Sequence, residues 1–273
     1  MGEVLAMTRS ILRSKLLAAA VLTISVTGWG QAGSGVTRTP VLVELFTSEG
    51  CSSCPPADAL LMKLEQEQPV AGAEIIVLGE HVDYWDGQGW RDRFSSQLYT
   101  ERQNGYGRRF KLESVYTPQM VVDGAEEFVG NDAERARRAI VHAEQTKKIG
   151  LRLSGVAVEQ RRVLGTVTVS AGAARLPKGD LYAALIDPVA VTNVRGGENG
   201  GRQLRHVGVV RSLQRIGSVQ DLSSGTVKFT LVVPADGIAE KERVVVFAQA
   251  SGQGPVLGAV LGQVGMAGNV ASR

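Results

Sequence analysis

Val41-Leu42-Val43-Glu44-Leu45-Phe46-Thr47-Ser48-Glu49-Gly50-Cys51-Ser52-Ser53-Cys54-Pro55-Pro56 contains the only two cysteines of the 273-residue chain. Residues 41–47 are mostly apolar and read as a buried strand. The residues after Cys54 read as a helix, with Ala57, Leu60, Leu61 and Leu64 recurring at i, i+3, i+4 and i+7. Pro55 and Pro56 fit only its first turn, where few N–H groups have intrahelical partners. A Cys-x-x-Cys at a strand-to-helix turn suits a reactive dithiol, because the positive end of the helix favours thiolate at the first cysteine. A purely structural staple explains the pair poorly. A loop this short constrains the unfolded chain by only about 2 kcal/mol in the loop-entropy model.

Working outward, Ile75-Ile76-Val77-Leu78 is a continuous apolar run suited to a parallel strand buried on both faces, so residues 41–79 predict a right-handed βαβ unit. Residues 80–116 hold Tyr84, Trp85, Trp90, Phe94, Tyr99, Tyr106, Phe110 and Tyr116, and about Asp92 to Arg109 of this stretch is expected to be helical. Residues 118–122 predict a strand and Asp123-Gly124 a hairpin turn, with residues 126–129 returning. Asn131 is expected to cap a helix that runs to about Lys148, with Glu134 at the capping-box position. Beyond residue 150 the pattern changes to period two. Residues 163–170, 181–186, 206–212, 227–233, 244–250 and 256–260 read as strands separated by Gly, Pro, Asp and Ser, which suggests an antiparallel sandwich.

The order of these elements resembles the thioredoxin fold, in which a cis proline precedes the third strand and faces the dithiol. Thr117-Pro118 stands at that place, so the resemblance implies a cis bond there and a backbone that pairs with a substrate chain. The expected fold is therefore an α/β thioredoxin-like domain over 38–149, with an aromatic-rich insertion at 80–116, followed by an all-β antiparallel sandwich-like domain over 150–265 and a frayed tail at 266–273. A narrower resemblance rests on residues 43–58, on His81-Val82-Asp83-Tyr84-Trp85-Asp86 with Gly89-Trp90, and on Gly197-Glu198-Asn199-Gly200-Gly201-Arg202-Gln203-Leu204. These blocks resemble a secreted bacterial family catalogued as domain-of-unknown-function family 1223, and the similarity spans nearly all of the chain after residue 32. The family tends to carry His-Asn just before the Val-Val-Arg that stands here at 209–211. This chain has Val207-Gly208 instead, with a histidine at 206, so no role is carried over to His206.

Residues 1–32 read as a secretory signal: Arg9, Arg13 and Lys15, then an apolar run from Leu16 to Val26, then Gly30-Gln31-Ala32 for cleavage. An uncleaved anchor is the alternative, although the run is short for a bilayer span of about 20 residues. Removal of residues 1–32 takes away three of 30 basic and one of 27 acidic residues, which leaves a net charge of +1. No basic run or nucleic-acid motif is present, and no later stretch is long and apolar enough to span a membrane. The expected location is periplasmic or secreted, where disulfides persist.

Candidate site residues follow from the cysteines. Cys51 is expected to be the more exposed nucleophile, Cys54 the resolving thiol, and the Ser52 and Ser53 hydroxyls donors to a thiolate. His81 and Asp83 follow the second strand at the same sheet edge as Cys51. His81 is therefore a candidate proton shuttle or thiolate stabiliser, against the alternative of a loop histidine with Asp83 capping a turn. Thr117, Trp85 and Trp90 either line a substrate groove or pack the insertion. Glu198, Asn199, Arg202 and His206 form a polar cluster among glycines that either folds across the site or stands exposed. These residues predict an exported thiol–disulfide oxidoreductase acting on protein or small-molecule thiols and disulfides, with Pro118 beside the dithiol and no cofactor beyond the redox-active disulfide. The alternative is a copper or zinc binding or delivery module built from the two thiolates and His81. A third reading is a binding protein with an inert disulfide.

Overall fold

Thr39–Thr47 forms β1, and every residue from Val41 to Thr47 is buried. It runs parallel to β2 (Ala73–His81), in a register from Thr39–Ala73 to Thr47–His81. The computed structural model describes residues 38–170 and 175–265, so the expected signal at 1–32 and tail at 266–273 lie outside the described residues. Between the two strands lies α1 (Pro55–Glu67), which starts at Cys54 with prolines in its first turn and ends at Gln68 in a left-handed conformation. Its Ala57, Leu61 and Leu64 are buried against Val41, Val43 and Leu45 of β1. The predicted βαβ unit is present, and β2 extends beyond the predicted run to His81.

α2 (Gln97–Phe110) starts later than expected, because the Ser96 side chain caps it by accepting from Leu98 N–H. The Thr117–Pro118 bond is cis, as the resemblance implies. β3 (Gln119–Val122) and β4 (Glu126–Val129) form the expected hairpin, with Asp123 and Gly124 both at positive φ. In α3 (Ala133–Glu144) the N-cap is Asp132 rather than Asn131, since its carboxylate accepts from Arg135 N–H. The helix ends at Glu144, four residues before Lys148.

The expected two-domain fold is not what forms. The remaining strands are β5 (Leu151–Glu159), β6 (Arg162–Val169), β7 (Asp180–Asn193), β8 (Gln203–Ser218), β9 (Thr226–Val232), β10 (Arg243–Gln249) and β11 (Val256–Gln263). Four of them continue the sheet of the first half, giving a mixed eight-stranded sheet in the order β11-β10-β7-β8-β2-β1-β3-β4. Only β5, β6 and β9 form a separate three-stranded sheet. The prediction of a thioredoxin-like α/β domain followed by a separate sandwich is therefore corrected: the strands beyond 149 are not self-contained, and the large sheet crosses that boundary. β7 and β10 carry apolar residues on both faces. Ala183, Leu185, Val244 and Val246 pack toward the small sheet, whereas Ala184, Ile186, Val245 and Phe247 join a core with Leu42, Ile76 and Tyr99.

The two halves of the sheet meet where β8 runs parallel to β2, at the pair Gly79–Val209. Gly208 makes this approach feasible. It sits at φ +57°, and a Cβ there would lie 2.6 Å from the Val77 carbonyl oxygen. Behind the sheet, α2 is anchored by a buried polar knot. Arg102 Nε donates to Glu44 Oε1 at 2.6 Å, its Nη2 donates to Gln249 at 3.1 Å, and the Tyr106 hydroxyl donates to Glu44. Burial, reinforced by the neighbouring Glu44 carboxylate, pushes the Glu80 carboxyl well above the usual range against the pull of Arg102. This knot ties β1, α2 and β10 together and so joins the N-terminal and C-terminal parts of the sheet. Among the described residues, no helix is long and apolar enough to cross a membrane.

Candidate functional site

The cysteines leave the end of β1 through a tight turn, with Cys51 N–H on the Ser48 carbonyl and Cys54 N–H on the Cys51 carbonyl. Cys51 and Cys54 are joined in a disulfide with their Cα atoms 5.4 Å apart. The Cys54 carbonyl accepts from the N–H groups of Ala57 and Asp58 in the first turn of α1. The Ser53 hydroxyl lies 3.3 Å from Cys51 Sγ, while Ser52 and Ser53 are exposed. The antiparallel pair Phe46–Gln119 carries cis Pro118 to the Thr47 end of β1, the end from which the cysteine turn departs.

The expectation of an exposed Cys51 fails, since both cysteines are 0% exposed. What covers them comes from the far end of the chain. The loop between β7 and β8 folds over the turn, and buried Asn199 donates from Nδ2 to the carbonyls of Glu49 and Cys51, each at 2.9 Å. Glu198 Oε2 accepts from Ser52 N–H at 3.0 Å, and the Ser52 hydroxyl and then its N–H lower the Glu198 pKa. Arg202 donates to Asn199 Oδ1 at 3.1 Å, so it orients Asn199 rather than reaching the turn itself. Trp90 completes the cover. Its Nε1–H donates to Glu49 Oε2 at 2.8 Å, and a Cβ on Gly197 would lie 3.1 Å from its own Cβ. Of the two readings of the glycine-rich segment, the structure takes the one in which it folds across the cysteines.

The other predicted residues divide. Trp85 donates from Nε1 to Thr117 Oγ1 at 2.8 Å, and a Cβ on Gly50 would lie 3.2 Å from Trp85 Cβ, so the indole links the cysteine turn to the cis-proline segment. Asp83 is held away by Thr100, whose hydroxyl donates to Asp83 Oδ1 at 2.6 Å. It fastens the start of the insertion to α2. His81 is buried at the end of β2, and its Nδ1 lies 2.6 Å from Asp92 Oδ2. Among the described residues no group of three or more His, Cys, Asp or Glu side chains is placed to hold a metal ion.

Sequence reasoning named His81 and His206 but missed Glu49, Asp58 and Asp92, with which they form a buried layer of charge. His206, on β8, lies with Nδ1 3.5 Å from Asp58 Oδ1 and Nε2 3.7 Å from Glu49 Oε1. Its ring centroid is 4.7 Å from that of His81. Asp58 also accepts from the Thr47 hydroxyl at 3.3 Å, and Asp92 accepts from Glu49 N–H at 2.8 Å. Glu49, Asp58, His81, Asp92 and His206 are all buried. Burial alone would raise the Asp92 carboxyl, but His81 and the N–H groups of Glu49 and Phe94 bring it down to about 2. One signal was available for Asp58: it is an acid on the apolar face of α1, between Ala57 and Leu61.

The chain matches, over residues 42–249, the family described as "Protein of unknown function (DUF1223)", and it belongs to that family. Among solved structures it is similar to protein AGR_C_4864 from Agrobacterium tumefaciens, at 26% identity and a TM-score of 0.63, over 84% of this chain and 96% of that one. It also shares its fold with HBP35 of Porphyromonas gingivalis, at 15% identity and a TM-score of 0.52, over 84% of this chain and 76% of that one. No curated protein matches.

Proposed function

We propose that this member of the DUF1223 family is an exported thiol–disulfide oxidoreductase whose working group is the Cys51–Cys54 disulfide. The observation that carries the reading is a disulfide between residues three apart at the start of α1, at the sheet edge that also receives cis Pro118. So short a loop gives little to the fold, whereas exchange chemistry needs two sulfurs this close. In the cycle, Cys51 thiolate attacks a substrate disulfide R–S–S–R′ and releases R′–S⁻. The Cys54 thiol, once deprotonated, attacks Cys51 Sγ of the mixed disulfide, reforms the internal bond and releases R–S⁻. Run in reverse, the same steps oxidise a dithiol substrate. Because both cysteines are covered, the loop that carries Glu198 and Asn199 opens in each turnover.

The test is exchange with a fluorescent disulfide peptide, together with the reduction potential in glutathione buffers. Cys51→Ser is expected to abolish exchange, and Cys54→Ser to accumulate the mixed disulfide. The wild-type potential is expected between about −120 and −270 mV, the range of working dithiol catalysts. A Cys51→Ser variant that exchanges as fast as the wild type, or a potential below about −300 mV, would count against the reading.

A further inference from the structure

The start of α1 offers a thiolate little support from the backbone. Pro55 and Pro56 have no N–H to give, the N–H groups of Ala57 and Asp58 are spent on the Cys54 carbonyl, and that of Ser52 is taken by Glu198. Glu198 is moreover a carboxylate, which opposes a second negative charge on Cys51. A reduced pair in this setting needs a cation, and His206 on β8 is placed to supply one. Its two carboxylate neighbours come from the two sides of the cysteines in the chain. Glu49 precedes Cys51 by two residues and shares the Asn199 clamp with it, while Asp58 donates its N–H to the Cys54 carbonyl.

We propose that His206, held between Asp58 and Glu49, is the positioning residue that sets the acidity of the reduced Cys51–Cys54 pair, with Asp58 acting against it. The groups facing the ring are Asp58 from α1, Glu49 from the cysteine turn, and His81 from β2 with Asp92 behind it. Phe94 closes the remaining side, with its ring centroid 6.3 Å away. Among the described residues neither ring nitrogen of His206 has a close hydrogen-bond partner, and the two carboxylates at 3.5 and 3.7 Å balance its charge. Burial works against charge on this ring, but Asp58 and then Glu49 outweigh it and raise its pKa to about 10, which makes it an imidazolium at neutral pH. When Cys51–SH releases its proton to solvent, the new thiolate joins Glu49 and Asp58 as a third anion around that one cation. Removing the cation holds the proton on sulfur; neutralising Asp58, while Glu49 still faces the ring and supports its charge, frees cationic field for the thiolate.

The inference rests on the redox reading, but its test needs no turnover. The apparent pKa of Cys51 is measured on the reduced full chain by pH-dependent alkylation with iodoacetamide and mass analysis, for the wild type, His206→Asn and Asp58→Asn. His206→Asn is expected to lower the thiolate fraction at neutral pH by about tenfold or more, one pKa unit, and Asp58→Asn to raise it. A merely structural role would move both variants in the same direction. Shifts in the same direction, or shifts of less than twofold, overturn the proposal. If neither variant folds, wild-type protein decides the matter. The chain has three histidines, and their ring resonances are followed by NMR in the oxidised and reduced forms. Coupling is reciprocal, so reduction must move the His206 midpoint upward, and an unmoved midpoint overturns the proposal. A chain that shows opposed shifts but exchanges no thiols loses the proposed activity and keeps this inference. An active chain with unmoved acidity does the reverse.

Discussion

Replacing Asn199 with alanine should make the disulfide easier to reduce, and the size of the effect follows from the contacts it removes. Attack on a disulfide requires access to a sulfur, and with both cysteines fully buried a reductant meets them only after the β7–β8 loop lifts. Asn199 holds that loop down with two hydrogen bonds of 2.9 Å, to the carbonyls of Glu49 and Cys51. A neutral intramolecular hydrogen bond contributes a net ~0.5–1.5 kcal/mol, so the pair stabilises the closed loop by about 1–3 kcal/mol. Those carbonyls recover water when the loop opens, so the closed state alone is penalised. The opening equilibrium should rise about 5- to 150-fold, at 1.4 kcal/mol for each factor of ten. Where opening and closing outpace attack, the rate of reduction by dithiothreitol rises by the same factor. The assay is the pseudo-first-order loss of the disulfide at fixed pH, read by a thiol mass tag, with circular dichroism to show that the variant remains folded at the assay temperature. A rate within twofold of the wild type would refute the argument, because the loop would not then be what limits access.

Two further outcomes are expected. Arg102→Met should cost about 3–5 kcal/mol, since it strands a buried charge in the knot of Glu44, Tyr106 and Gln249; urea unfolding measures it, and a loss below about 1 kcal/mol would show that the knot does not hold α2. Asp92 supplies the pH-dependent case: its folded pKa of about 2 lies below its ordinary value of 3.8, so its stabilising contribution is present above about pH 4 and is lost as pH falls toward 2. Wild-type protein should lose roughly 2 kcal/mol more than Asp92→Asn across that window, as read from urea midpoints, and parallel curves would contradict the His81–Asp92 pairing.

What could be read from the residues alone was local. Val41 to Phe46 form a strand because a run that is apolar except for Glu44 is buried on both faces. α1 starts where prolines can be tolerated, and Asp123-Gly124 turns because both residues adopt positive φ. The strands beyond residue 150 were legible as strands, except β5, but not as members of a particular sheet. Period two states that a face is buried and is silent on the neighbour. The edge that β2 offers to β8 depends on one close approach, at Gly79 and Gly208, and a glycine in a strand pattern reads equally well as a bulge or a turn.

The same physics explains which site residues were visible. Cys51 and Cys54 declare themselves by spacing, and Glu198 and Asn199 by polarity among glycines. Glu49 and Asp92 carry no local pattern. Asp58 shows only as an acid on the apolar face of α1 and His206 only as the last member of the glycine-rich polar cluster, and neither signal names its partner, which is distant in sequence. Asp92 meets His81 across the insertion, and His206 meets Asp58 only because β8 enters the sheet beside β2. The fold and the site therefore stand or fall together. Had the chain divided near residue 149, Asn199 and His206 would sit in a separate domain, the disulfide would be uncovered, and the charge beside it would be three carboxylates with only His81 among them. The strand that merges the two halves into one sheet is also the strand that brings the second histidine to Asp58 and Glu49, the carboxylates on either side of the cysteines in the chain.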